Sequence, residues 1–412
     1  MRFSRILTAA LLGALAACER SPSASEPMES LPRNLTAAEQ EVIAASNSFA
    51  FGLLREAGPG DDGGPNVFVS PLSATMALGM TMNGARGATL DGMRAALGFG
   101  DLPLADINQA YRGYIDLLRG LDSSVQLQLA NAIWAADGFP VEPSFLDTGR
   151  QFFDAEVGTL DFGLPSSVAT INAWVKQQTN GKIETIVNAI PGETVMFLVN
   201  AVYFKGSWTH RFDARETRQA PFRRSDGTTE TVDLMHQNVR APFAFTPDYT
   251  AVDLPYGRGG FSMTVVVPRE GGSLDALADS LDNFDWERMV DAMVETQADV
   301  YLPRFRLEYA KGLMDALEAL GMEVALGRGA VPADFRGLSP LGDQLVITDV
   351  RQKTFVEVNE EGTEAAAATS VQIGPVSLPP SLRADRPFLV AIRERFSGSI
   401  LFLGKIESPG RR

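Results

Sequence analysis

Apolar positions recur at helical spacing through much of the first half of the chain and at strand spacing through the second. Thr36 and Glu39 form a capping box ahead of one helical run, so the folded part begins near Thr36. Ser70 and Pro71 can cap and start another helix, directly after the short strand 67–69. The pattern further predicts helices at 72–82, 89–97, 104–120, 143–152, 166–179, 274–281 and 311–320, and strands at 125–135, 194–205, 230–236, 261–267, 298–302, 345–358, 387–394 and 399–405.

The order of these elements indicates the fold class. Helices dominate early and strands dominate late, without a regular strand–helix alternation, which favours an α+β fold with large antiparallel or mixed sheets. The sequence has no internal repeat and no second Pro/Ser-rich linker. We therefore predict one domain over residues 36–412.

Residues 1–17 have the pattern of an export signal. Arg2 and Arg5 precede a short apolar run, and Leu15-Ala16-Ala17-Cys18 closes it. This ending resembles a bacterial lipoprotein signal, in which cleavage precedes the cysteine and Cys18 carries the lipid. The alternative is an ordinary secretory signal that leaves Cys18 as an unpaired thiol. Residues 18–35 then form a flexible tether, in which the stretch 19–34, rich in Ser, Pro and Glu, reaches at most about 50 Å.

Composition excludes several classes of protein. The 412 residues contain 36 Lys and Arg against 51 Asp and Glu, and a net charge of −15 repels nucleic acid. One cysteine rules out an intrachain disulfide framework and a cysteine-rich metal site. Two histidines, His210 and His236, exclude a His-rich metal cage, so we expect no metal and no cofactor.

Catalytic motifs are also missing from the sequence. No Gly-x-Ser-x-Gly elbow occurs, and the spacing gives neither histidine a nucleophile or an orienting acid. Gly257-Arg258-Gly259-Gly260 leads into a strand, which predicts a hairpin turn and not a phosphate-binding loop. We therefore do not expect an enzyme, although mutation of either histidine would test that expectation.

The unusual segment of the chain runs from about residue 360 to 382. It carries no charge from Ala365 to Leu382, and two prolines at 379–380 prevent one continuous element. One interpretation is a flexible connection, or a short helix from Thr363 onward because Ala and Glu favour helices. At a period of two, however, one face is small or apolar throughout, which suits insertion into a sheet; that face comprises Thr363, Ala365, Ala367, Thr369, Val371 and Ile373.

Five motifs in this sequence, in the same order, resemble those of the serpin family. They are Asn66–Ser73, Phe197–Trp208, Glu360–Thr369, Asp385–Val390 and Ile400–Ile406. The resemblance extends from about Thr36 to the C-terminus. It implies helices packed around a large mixed central sheet, two further sheets and an exposed reactive-centre loop.

The resemblance also implies a mechanism, in which a serine protease cuts the loop and is trapped as an acyl-enzyme when the loop inserts into the central sheet. The family's spacing from Glu360 places the reactive bond at Val376-Ser377. Val376 is small, which suits the primary pocket of an elastase-like protease. The same resemblance assigns the hinge of the loop to Glu360, Gly362, Thr363, Ala365, Ala367 and Thr369.

The resemblance assigns a second group of residues to the control of sheet opening. Ser70, Ser73, Asn200 and Gln352 would form the shutter, and Trp208 would lie at the breach, where the loop begins to insert. Many serpins have a histidine at the position of Gln352, so this shutter loses a titratable group. The helix predicted at 104–120 offers only Arg112 and Arg119, so no glycosaminoglycan activation is expected.

These inferences predict a monomeric suicide inhibitor of elastase-like serine proteases, exported and lipid-anchored to a bacterial membrane through Cys18. The alternative is a non-inhibitory serpin that acts as a carrier, chaperone-like or structural protein. Non-inhibitory members often carry bulky, charged or proline residues in the hinge, whereas Thr363 here leads into four alanines. The hinge composition therefore favours inhibition.

Overall fold

A computed structural model describes residues 26–362 and 380–410 of the chain. The first helix begins as predicted, because the Thr36 hydroxyl accepts from the Glu39 N–H while the Glu39 carboxylate accepts from the Thr36 N–H. The helices are α1 Ala37–Ala57, α2 Pro71–Met82, α3 Gly87–Ala96, α4 Leu104–Gly120, α5 Pro143–Phe153, α6 Pro165–Gln178, α7 Leu274–Ser280, α8 Asn283–Asp291 and α9 Met314–Leu317.

Helices and strands both contribute extensively, which confirms the predicted α+β class. The strands are β1 Val67–Val69, β2 Val125–Ala136, β3 Ala155–Leu160, β4 Met196–Gly206, β5 Arg218–Arg223, β6 Thr229–Phe245, β7 Tyr249–Tyr256, β8 Phe261–Pro268, β9 Val294–Pro303, β10 Phe305–Gly312, β11 Arg351–Val358, β12 Ser381–Arg383, β13 Phe388–Glu394 and β14 Ile400–Ile406.

Among the described residues, the largest sheet has nine strands, in the order β1-β14-β13-β8-β7-β6-β9-β12, with β5 paired to β6. Its pairs are antiparallel except β9 and β12, which run parallel. Strands β8, β13 and β14 are buried along almost their whole length; α1 and α2 pack against β14, and α7 packs against β8 and β13. The main hydrophobic core lies in this region.

Two smaller sheets meet beside α2 and carry the candidate site. One has the order β3-β2-β4, with β3 parallel and β4 antiparallel to β2, and the other pairs β10 with β11. Within residues 26–362, no ladder joins β4 to β11. Just beyond the ends of these strands the backbones meet at a bridge between Ser207 and Gly362 and at hydrogen bonds from the N–H groups of Trp208 and Phe212. The two smaller sheets therefore form a layer that is divided between β4 and β11. We call it the divided layer.

Several boundaries differ from the sequence-based prediction. The predicted strand 345–358 is regular only over β11, and the first residues of the predicted helix 311–320 belong to β10. In both places, cross-strand pairing of β10 with β11 overrides local propensity. The turn after Tyr256 is the hairpin that the glycines predicted, with β7 and β8 paired on either side.

Candidate functional site

The predicted hinge begins in a tight turn after β11. The N–H of Asn359 donates to the carbonyl of Gly362 at 3.0 Å, and the N–H of Gly362 donates back at 3.2 Å. Gly362 has φ of +133°, a backbone conformation that side chains other than glycine rarely adopt. A Cβ here would also lie 2.6 Å from the Ser207 Cα and closer still to the Gly206 carbonyl oxygen. Both the conformation and the space therefore require glycine.

Trp208 fastens this turn to the end of β4. Its indole N–H donates to the Asn359 carbonyl at 2.9 Å, and its backbone N–H donates to the Glu361 carbonyl at 2.9 Å. The indole is buried and stacks on Tyr256, with ring centroids 4.4 Å apart and planes at 10°. Trp208 thus joins the hinge turn to both the divided layer and the large sheet.

Glu360 is a buried carboxylate at the base of the hinge. It accepts hydrogen bonds from the Arg304 guanidinium, with both carboxylate oxygens 2.7 Å from Nε, and from the Thr217 hydroxyl. Burial by itself would raise the pKa of Glu360, but the hydrogen bonds from Arg304 and Thr217 outweigh burial and hold the pKa below its usual value. The carboxylate is therefore charged at neutral pH. We call Trp208, Glu360, Gly362, Arg304 and Thr217 the breach cluster.

Gln352 lies on β11 and contacts the start of α2. Its amide Oε1 accepts from the Ser70 N–H at 2.9 Å, while its Nε2 donates to the Ser70 carbonyl at 2.8 Å. The Ser70 hydroxyl donates to the carbonyl of Leu401 at 2.7 Å and caps α2 by accepting from the Ser73 N–H. A neutral amide thus satisfies both backbone groups of one buried residue, which explains how glutamine can fill this position.

A second chain of hydrogen bonds leads from α2 to the other sheet. The Ser73 hydroxyl donates to the amide oxygen of Asn200 on β4, and the Asn200 amide donates to Asn131 on β2 at 2.7 Å. Asn131 in turn donates to the carbonyl of Phe153 at 2.6 Å. Ser70 and Ser73 therefore connect the β11 side of the divided layer to the β4 side.

The family resemblance predicts Ser70, Ser73, Asn200 and Gln352 as one group but does not include Asn131. The signal for Asn131 was a polar residue inside the apolar run 129–136, at a position that is 2% exposed. A buried amide in such a run needs a partner, and the pairing of β2 with β4 places Asn131 directly opposite Asn200. We call Gln352, Ser70, Ser73, Asn200 and Asn131 the shutter network.

Some predicted site residues lie outside the described residues. They are the reactive bond Val376-Ser377, the hinge residues Thr363, Ala365, Ala367 and Thr369, and the lipidation residue Cys18. Among the predicted hinge residues, the structure describes Glu360 and Gly362.

The two histidines, His210 and His236, lie in different surroundings. His236 stacks on Tyr301 with ring centroids 4.5 Å apart, and its Nε2 lies 3.2 Å from Asp299 Oδ1. His210 is exposed. Over residues 26–362 and 380–410, no three or more His, Cys, Asp or Glu side chains are grouped as metal ligands. In the same ranges, none of the helices combines the length and the apolar character needed to cross a bilayer.

Comparison with known proteins adds independent information. The family model for serpins (serine protease inhibitors) matches residues 44–409. A serpin-like protein of Thermococcus kodakarensis is 36% identical over 382 residues, covering 90% of this chain and 86% of that protein. The leukocyte elastase inhibitor of Sus scrofa is 35% identical over 384 residues, covering 90% of this chain and 100% of that protein.

The fold is also similar to that of solved structures. The crystal structure of tengpin, a thermophilic serpin, in its native state matches with a TM-score of 0.81 at 30% identity. That match covers 91% of this chain and 95% of the tengpin chain. Sequence and fold therefore point to the same family over nearly the whole domain.

Proposed function

The chain belongs to the serpin family, and from that premise we propose that it is a suicide inhibitor of elastase-like serine proteases. The observation that carries the proposal is the hinge. Gly362 closes a turn at the point where β4 and β11 end, and the sequence continues with Thr363, Glu364 and four alanines. Small side chains can enter a sheet with little overpacking, so this arm is suited to insertion.

The chemistry of the proposed reaction is carried by the target protease. Its serine attacks the Val376 carbonyl, the bond from Val376 to the nitrogen of Ser377 breaks, and an acyl-enzyme ester forms as the new amine leaves. The arm from Thr363 to Val376, with a span of about 46 Å, then inserts between β4 and β11. Insertion before the ester is hydrolysed traps the protease.

The breach cluster and the shutter network give this chain two controls on insertion. The arm must separate Trp208 from the hinge turn at the breach, where insertion starts. It must also separate the β11 side of the shutter network from the β4 side, which are joined through Ser70 and Ser73. Neither cluster touches the protease in this proposal; each sets the barrier to sheet opening.

The choice of an elastase-like target rests on the side chain at the reactive bond. Val376 is small and β-branched, and the leukocyte elastase inhibitor of Sus scrofa is among the similar proteins. A long basic side chain at this position would instead suit a trypsin-like pocket that contains an aspartate.

The proposed location follows from the first residues of the chain. The apolar run and Leu15-Ala16-Ala17-Cys18 support export, cleavage and lipidation of Cys18. Lipid on Cys18 would anchor the acidic domain to a bacterial membrane. Mass measurement of the membrane-extracted protein tests this; an unmodified Cys18 thiol in the mature protein would contradict it, and Cys18→Ser provides the unlipidated control.

The test of inhibition mixes the soluble protein with an elastase-like serine protease. The protein should begin at Glu26, because Met28 packs on the body and Arg33 pairs with the buried Glu39. We expect a complex that survives denaturing electrophoresis and a released fragment that begins at Ser377. Cleavage at that bond without a complex would favour the non-inhibitory alternative.

Two variants separate the steps of the proposed mechanism. Thr363→Arg places a charge in the inserting face and should convert the inhibitor into a substrate, whereas Thr363→Ser should remain inhibitory. Val376→Arg should shift complex formation toward trypsin-like proteases. A Thr363→Arg protein that still traps elastase would contradict insertion, and a Val376→Arg protein that still prefers elastase would contradict the placement of the bond.

A further inference from the structure

Residues 26–33, which we call the docked leader, lie against the folded domain. The Met28 N–H donates to the Arg258 carbonyl at 2.8 Å, and the Arg258 Nε donates to the Glu26 carbonyl at 3.0 Å. Met28 is half-buried and packs against the main core, close to Gly260. The first described residues are therefore fixed to the turn between β7 and β8.

A second contact fixes the other end of the docked leader. Arg33 forms two hydrogen bonds with the Glu39 carboxylate, at 2.6 and 2.8 Å, and a third with the Gly113 carbonyl at 2.9 Å. Glu39 is 3% exposed, so its charge would be costly without Arg33. Docking thus has a polar attachment at each end, with Met28 packed between them.

The docking point lies at the breach end of the divided layer. Gly257, next to Arg258, donates its N–H to the Ser207 carbonyl at 2.7 Å, and Ser207 bridges Gly362. Bridged residues lie about 5 Å apart and consecutive Cα atoms 3.8 Å apart. The path from Met28 through Arg258, Gly257 and Ser207 to Gly362 is therefore at most about 20 Å.

Docking also shortens the link between Cys18 and the body. From Cys18 to Glu26 the extended chain reaches at most about 28 Å, whereas an undocked chain from Cys18 to Thr36 would reach about 60 Å. A globular domain of this size is about 55 Å across. The docked link is about half as long as the domain is wide, so it limits which end of the domain can face the anchor. The undocked link is as long as the domain is wide and sets no such limit.

We propose that the docked leader holds the breach end nearest the bilayer, so that the reactive loop is presented to serine proteases bound at the same membrane. The inference rests on the inhibitory function and the lipid anchor proposed above. It specifies membrane-bound serine proteases as the class of target, because proteases in free solution would have to approach a loop that the bilayer partly shields.

The experiment uses the mature chain from Cys18 onward on phosphatidylcholine vesicles. Cys18 is the only cysteine, so a chain produced without residues 1–17, and therefore not lipidated by the cell, keeps a free Cys18 thiol that adds to a maleimide lipid. An elastase-like protease is supplied either in solution or bound to the same vesicles through a histidine tag and a nickel-chelating lipid. The readout is the rate of reactive-loop cleavage, which is measurable even if no stable complex forms.

The key quantity is a ratio of two cleavage rates. The rate with vesicle-bound protease is divided by the rate with free protease, at the same total concentrations of protease and vesicles. Three altered proteins are compared with the original. One carries Met28→Asp and Arg258→Ala, which remove the docking contacts; another has twenty Gly and Ser residues inserted between Ala24 and Ser25; and Glu29→Ala is the matched control, since Glu29 is exposed.

We expect this ratio to be about tenfold higher for the original and the Glu29→Ala protein than for the two others. Rates in solution without vesicles should agree for all four proteins, which verifies that each is folded. Equal ratios in all four would overturn the proposed orientation. Cleavage without trapping in solution would overturn the inhibitory function instead, so the two failures are distinguishable.

Discussion

At the breach, a charged carboxylate and a guanidinium hold the hinge, whereas at the shutter only neutral amides, hydroxyls and backbone groups connect the strands. Glu360 and Arg304 form the charged contact, and Gln352 and Asn131 mark the two ends of the neutral one. Arg304 is 41% exposed, while Asn131 is 2% exposed. Solvent screens the first contact and not the second, so the neutral network should be the more costly to break.

The shutter network and the breach cluster also differ in their response to pH. The shutter network contains no titratable side chain, because Gln352 stands where many family members have a histidine. The breach cluster contains Glu360, whose pKa is lowered by Arg304 and Thr217 against the opposing effect of burial. Of these two clusters, only the breach should weaken in acid.

The largest effect should come from crowding the breach. Gly362→Val combines an unfavourable φ with backbone overlap at Gly206 and Ser207, and should lower stability by about 3–5 kcal/mol. Gly227→Val is the matched control, since Gly227 has φ of +81° but open space around it. The measurement is the urea midpoint after a fixed time, because the proposed mechanism makes the uncut protein metastable. Equal losses in both variants would show that φ alone matters.

The shutter is tested by Asn131→Ala. The change leaves the half-buried Asn200 amide and the Phe153 carbonyl without this partner and should cost about 2–4 kcal/mol, measured as above. Asn238→Ala is the control, because Asn238 is exposed and outside the network. Spontaneous loss of inhibitory activity on warming should also be faster in Asn131→Ala. An unchanged urea midpoint would remove Asn131 from the network.

The ion pair between Glu360 and Arg304 should contribute less to stability at neutral pH than the shutter network does. Glu360→Gln keeps the shape but removes the charge, and we expect a loss of about 1 kcal/mol, because Arg304 is partly exposed. Glu308→Gln is a control on an exposed carboxylate beside Arg306. A loss as large as that of Asn131→Ala would reverse the ranking of the two clusters.

The same variant gives the sign of the pH dependence. A carboxylate whose pKa is lowered on folding stabilises the protein above its unfolded pKa, near 4.5, and that contribution is lost as pH falls through the folded value. The difference between the original protein and Glu360→Gln should therefore shrink below about pH 4.5. Thermal unfolding from pH 7 to 3 measures it; a difference that grows in acid would contradict the assignment.

The smallest effect should come from giving the shutter a titratable group. Gln352→His can keep one contact to Ser70 when neutral, but a protonated ring cannot accept the Ser70 N–H. We expect stability to fall by up to about 1 kcal/mol as pH drops from 8 to 5, with Gln352→Asn as a control without pH dependence. A pH-independent Gln352→His protein would mean that the ring finds other partners.

The sequence determined the fold class, the start of α1 at its capping box and the order of the motifs. These depend on local spacing of apolar residues, caps and glycines, which one stretch of chain carries by itself. It also placed Ser70, Ser73, Asn200 and Gln352 in one group, through resemblance to a family. The reactive bond and Cys18 remain predictions from the sequence.

Which distant groups meet depends on the tertiary structure. Asn131 joins the shutter because β2 and β4 pair in one register, and Arg304 reaches Glu360 across 56 positions of the chain. The docked leader was expected to be a flexible tether from its Pro and Ser content, yet Met28 packs beside the turn after β7 and Arg33 pairs with Glu39. Composition reports what a segment can do alone, whereas pairing and docking depend on partners that local sequence does not specify.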